Sequence, residues 1–338
     1  MAYTTIDNPE LYFQTVIYTG NATARTITLD GDENMQPDLV WGKIRSEGQD
    51  HVLVDSVRGA TKQLYSSDNA LEQTEAQGLT GFASDGFTLG THAYFNKNTA
   101  TYVAWCWKES ATAGFDIVTA TGTGSAKTIS HSLSAVPHWI LSKEKSGSAN
   151  DWVVYHHKNT SAPETDKLIL NENNATSDDS CWNDTAPTSS VFSVSSASVV
   201  NRNSSTYVYY LWSEKKGFSK FGSYTGNGNA EGPFVYTGFK PAMIILKATS
   251  IGENWWIYDN KRNTFNLVTR GLYPNATNAE VDYSASDAMN LDFLSNGFKL
   301  RASDGALNGS GSTYIYMTFA ENPFVANASG TVVPSTAR

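Results

Sequence analysis

The stretch TYVAWCWKES (residues 101–110) reads as a strand apolar on both faces, and its pattern returns as TYVYYLWSEK from Thr206 and TYIYMTFAEN from Thr313. Side chains alternate along a strand, so Tyr102, Ala104 and Cys106 share one face while Val103, Trp105 and Trp107 share the other. A strand apolar on both faces needs cover on both sides. That predicts the central strand of a sandwich, or a strand clamped between its own sheet and a neighbouring unit.

Other landmarks recur around this strand in a fixed order. A Thr-Gly turn closes an opening strand at Gly20, Gly122 and Gly226. A proline then precedes a lysine by six residues: Pro37 and Lys43, Pro137 and Lys143, Pro241 and Lys247. Trp152 and Trp256 both stand fifteen residues after that proline, aligned with Val52. Phe87, Phe192 and Phe298 follow, and each copy ends on the Thr-Tyr motif, with Tyr102, Tyr207 and Tyr314 at its head and Trp107, Trp212 and Phe319 at its foot. Ordered landmarks repeated three times mark an internal repeat. The predicted units are 1–110, 111–216 and 217–325, followed by a C-terminal arm at 326–338.

With 12% aromatic and 17% charged residues, and polar turns between short apolar runs, the chain is expected to be all-β. The predicted architecture is three tandem antiparallel β-sandwich (jelly-roll-like) repeats, each able to bury its own core. The proline should head a strand, where its missing N–H costs least. Linkers as short as KKG before Phe218 predict units in fixed geometry.

The net charge of −9 and the lack of clustered Lys and Arg argue against nucleic acid. The first residues lack the basic head and apolar core of a signal peptide, and no apolar run approaches membrane-spanning length. A soluble product without membrane insertion is expected, with Cys106 and Cys181 as buried thiols.

No motif supplies a catalytic set, a cofactor site or a metal site. Adjacent His156 and His157 face opposite sides of a strand. DGDEN (residues 30–34) opens like a calcium loop but has Met35 and Trp41 where Gly and Glu are needed. Glu109, Glu214 and Glu321 recur once per unit, as do Lys43, Lys143 and Lys247, so a surface Lys–Glu pair closing each sandwich is expected. The excursions at 60–81, 159–190 and 263–290 are the expected seat of contacts that differ between units. Trp182 and Tyr273 are the candidate exposed loop aromatics for binding.

The combination YFQTVIYTGN, QPDLVWGK, DSVRG, SDGFTLG and TYVAWCWK, with a terminal STAR, resembles a family of virion proteins from marine tailed bacteriophages. The resemblance is strongest in the first unit and implies a virion structural protein with no catalytic residues to transfer. A tail fibre or appendage contacting host surface glycans is the leading expectation. A head decoration protein and a tail-associated glycan depolymerase are the alternatives. The implied partners are other virion proteins and a host glycan, and the implied location is the virion, assembled in the host cytoplasm. Such parts are commonly trimers, although three units in one chain could mimic a threefold alone.

Overall fold

The computed structural model of the chain describes residues 4–286 and 288–323, so the arm expected at 326–338 lies outside the described residues. The fold is all-β and antiparallel. Thr101–Trp107 is a central strand: Phe13–Thr19 pairs along one side of it and Leu39–Ile44 along the other, and Val52–Asp55 continues the sheet. Thr206–Trp212 is flanked in the same way by Phe115–Thr121 and Trp139–Glu144, and Thr313–Pro323 by Ser219–Thr225 and Phe239–Ala248.

Each large sheet carries a smaller one over one face. In the first, Val16, Val40, Val54 and Cys106 pack against Phe87 and Leu89 of the small sheet. The opposite faces of the large sheets do not form separate cores. Trp105 and Trp107 join Tyr210 and Trp212, with Met317 and Phe319, in one cluster common to all three. The Trp107 ring lies 6.2 Å from Trp212 and 5.7 Å from Phe319, edge-on to both. Each unit keeps a core of its own between its large and small sheets, and the shared cluster is added to these three. Large aromatics on both faces exceed what a single small sheet can cover, and the surplus face is buried against its two equivalents.

The three sheets are fastened in a ring. Lys143 Nζ donates to the Asn69 carbonyl (2.7 Å), Lys247 Nζ to that of Asn173 (3.2 Å) and Lys43 Nζ to that of Thr277 (3.4 Å). Beside them the backbone N–H groups of Glu72, Thr176 and Glu280 donate to the carbonyls of Lys145, Thr249 and Arg45. The same contact therefore passes from second sheet to first, third to second and first to third. Burial pushes each of the three ammonium groups down to about 8. The expected surface Lys–Glu pair is thus wrong, because all three lysines are buried and serve carbonyls. Glu214 instead pairs with Lys220, Glu321 with Lys240, and Glu109 accepts from the Ile117 N–H. The excursions, expected to differ between units, supply a shared fastening.

Further bonds follow the same circuit. Trp152 Nε1 donates to the Tyr65 carbonyl and Trp255 Nε1 to that of Ile169, while His51 lies against the Tyr273 backbone. The residue equivalent to Trp152 is therefore Trp255, not Trp256. Nine residues separate Lys143 from Trp152, against eight from Lys247 to Trp255 and from Lys43 to His51, so the second copy holds one extra residue. Tyr210 donates its hydroxyl proton to Asp55, and Trp105 Nε1 donates to Asp259.

Two local devices repeat as well. The hydroxyls of Tyr102, Tyr207 and Tyr314 donate to the carbonyls of Ala93, Ser198 and Gly305 in four-residue helices. Asn96, Asn201 and Asn308, six residues before each tyrosine, are buried and accept from the N–H that follows each Thr-Gly turn, on Asn21, Thr123 and Asn227. The prolines depart from expectation. Pro37 and Pro137 stand just outside their strands, and Pro241 lies within Phe239–Ala248 at a break in register, where a bulge tolerates the missing N–H.

Candidate functional site

Three equivalent junctions form where each closing strand meets the next opening strand around the ring, the third where Thr313–Pro323 meets Phe13–Thr19 in space. The first gathers Asp38, Ser56, Glu109 and Asp116. The second gathers His138, His157, Glu214 and Lys220, and the third Ala242, Asn260, Glu321 and Gln14. Their equivalence is fixed by one bond in each, from the N–H of Ser56, His157 or Asn260 to the carbonyl of Asp38, His138 or Ala242.

Whether a junction is open depends on the loop that precedes the proline-led strand. Twelve residues run from Ile27 to Leu39, ten from Ile129 to Trp139, and eight from Val235 to Met243. The longest loop folds over the third junction: the Gly31 N–H donates to Gln14 Oε1, the Asp32 N–H to Glu10, and Asp30 pairs with Lys261 at 2.9 Å. What remains there is about 30 Å³, room for about one water. DGDEN is therefore a cover, and among the described residues no group of three His, Cys, Asp or Glu is placed to hold a metal. The middle loop covers the first junction, with the Ser132 N–H on Asp116. The shortest segment is instead drawn into Phe239–Ala248, which pairs as far as Phe239 with Pro323. The second junction is left open as a cleft of about 550 Å³.

The floor of this cleft is polar. The His138 and His157 rings meet edge to face with centroids 4.3 Å apart. His138 Nδ1 accepts from the Glu214 N–H, and His157 Nε2 donates to the Phe221 carbonyl at 2.7 Å, which fixes both tautomers. Burial pushes both rings down, His157 to about 4, so both are neutral at pH 7. Glu214 and Lys220 pair at 3.3 Å. Lys158 stands exposed among the lining groups, and no ion pair joins it to a carboxylate among the described residues.

The wall is aromatic. Phe234 and Tyr236, at the two ends of the strand Phe234–Tyr236, are 47% and 52% exposed, while Val235 between them points into the core. The register puts Thr26 and Thr28 at these positions in the first small sheet and Thr128 and Ser130 in the second, all exposed. The imidazoles are thus held by backbone and the Glu214 carboxylate by the Lys220 ammonium, with the two aromatic rings beside them.

The aromatics named from sequence lie elsewhere. Trp182 is 1% exposed and so is not a surface anchor. It ends the short turn Ser180–Trp182, capped by Asp179, and packs edge-on to Tyr155 in the core of the second sandwich. Tyr273 is half-buried, with its ring 4.6 Å from Trp256 and its hydroxyl bonded to that of Tyr283. Phe234 and Tyr236 were missed, although the triplets Thr-Ile-Thr, Thr-Ile-Ser and Phe-Val-Tyr, set side by side, carry the signal.

The fold and cleft define an all-β antiparallel protein with one open, aromatic-walled cleft among its three junctions. The chain belongs to the family described as Domain of unknown function (DUF7483), whose model matches residues 8–323 and so runs across all three large sheets. No curated protein and no solved structure matches it.

Proposed function

We propose that the protein is a structural and adhesive part of a virus particle, a tail appendage that meets host surface glycans and has no catalytic activity of its own. The observation that carries this reading is the closed ring of three sheets about one aromatic core. A large apolar interface restrains relative motion of the three sheets, which suits an exposed particle component. The sequence resemblance to phage virion proteins supports the same reading. A depolymerase would need an open cleft with paired carboxylates. Glu109 and Asp116 do meet at the first junction, but a loop covers them.

A second reading, head decoration, is favoured by the approximate threefold within one chain, which suits a threefold position on a capsid. The in-chain ring also supports the threefold arising without a trimer. Electron cryo-microscopy of intact particles is the test. Density at tail-attached sites in few copies supports the appendage, density repeated over the capsid supports decoration, and absence from the particle overturns both.

A further inference from the structure

We infer that the open second junction is a carbohydrate-binding site, which takes a pyranose unit of a glycan against Phe234 and Tyr236 and over the Glu214–Lys220 floor. The inference deepens the adhesive reading above and rests on it.

The first argument comes from the chain's own equivalents. Three strands hold the same place in three small sheets, and their outward positions are Thr26 and Thr28, Thr128 and Ser130, Phe234 and Tyr236. Small hydroxyl residues at solvent-facing strand positions need no special explanation. Two large aromatics about half exposed, two residues and so roughly 7 Å apart on one strand face, do. The fold does not require them, because the sibling strands form without them.

The second argument is that the aromatics and the opening occur together. The loops that cover the other two junctions come from the first and second copies. In the third copy the corresponding segment has become strand, which opens the cleft beside its own aromatic pair. The junction that lost its cover is the one that gained an aromatic wall.

The third argument concerns the chemistry of the occupant. A ligand for this cleft needs a flat, weakly polar face for the two rings and an edge of hydroxyls for the floor. Glu214 accepts and Lys220 and Lys158 donate, and these polar groups fix orientation beside an apolar platform. A pyranose has both features. The two ammonium groups facing one carboxylate add an attraction for sugars that carry a carboxylate.

The test uses the full chain in calorimetric titration with cellohexaose and laminarihexaose as neutral probes and with oligomers of alginate and polygalacturonate as acidic ones. The paired substitution Phe234→Thr and Tyr236→Ser installs residues of the sibling type, so its melting temperature should match that of the native chain. Saturable binding of at least one probe, weakened at least tenfold in the paired variant, is expected. Lys158→Gln should weaken acidic probes more than neutral ones. If the paired variant binds as tightly as the native chain, the site is elsewhere and this inference fails while the adhesive reading stands. If no probe binds at millimolar concentration, both fall.

Discussion

Glu109→Gln should stabilise the protein at pH 8 and do almost nothing at pH 4.5. At the covered first junction, Glu109 Oε1 accepts from the Ile117 N–H at 3.1 Å, and the Glu109 N–H donates to Asp38 at 2.8 Å. Burial first, and then the neighbouring Asp116 carboxylate, raise the Glu109 carboxyl from its ordinary 4.5 to about 7. The folded state thus holds this proton more tightly than the unfolded state. The associated stability is complete below pH 4.5 and is lost as the pH climbs through 7. Fully felt, the difference would be worth about 3.4 kcal/mol. The group is only half-buried, so solvent screening reduces this to about 1–2 kcal/mol. Glutamine keeps the acceptor for Ile117 and offers a donor to Asp116, without the charge. The variant should melt about 1–3 °C higher at pH 8, as followed by tryptophan fluorescence. A variant less stable than the native chain at pH 8, or equally stabilised at both pH values, would refute the argument.

Other perturbations probe the ring and the cores. Lys143→Met strands the carbonyls of Asn69 and Asn150 and should cost about 1–3 kcal/mol in urea unfolding; an unchanged midpoint would show that the fastening contributes nothing. Trp182→Ala should cost about 3–5 kcal/mol, since the ring is buried, whereas a surface anchor would leave the midpoint in place. Gly42→Ala would set a Cβ 2.3 Å from the Phe95 ring inside the first sandwich, for about 1–3 kcal/mol of overpacking, and wild-type stability there would contradict the packing described. Light scattering in solution should return the mass of a single chain, 36.8 kDa, and a trimer would show that the internal ring does not replace association.

Strands were legible in the sequence where alternation and repetition agreed. The aromatic load of the closing strands announced that both of their faces are covered. It did not say by what, because apolar character is the same whether the cover is the copy's own small sheet or the other two copies. The lysines misled for a related reason. Lys43, Lys143 and Lys247 resemble surface residues, and only the fold brings a neighbour's carbonyls to them. Trp182 sits among polar letters, and the turn that buries it spans three residues, too few to leave a periodic trace. The asparagine six residues before each closing tyrosine was within reach of sequence comparison, as were Phe234 and Tyr236.

The circuit of contacts has a bearing on how such a chain can change. A linear stack of repeats can gain or lose a member, because its ends are capped separately and its neighbours contact only along a line. Here the third sheet receives from the first the lysine contact that the second receives from the third, so among the described residues each sheet has two neighbours and none stands at an end. Copy number is locked by geometry, and so is most of each copy. Novelty is left to the three seams, where one has gathered acids, one has been sealed, and one has been opened and furnished with rings.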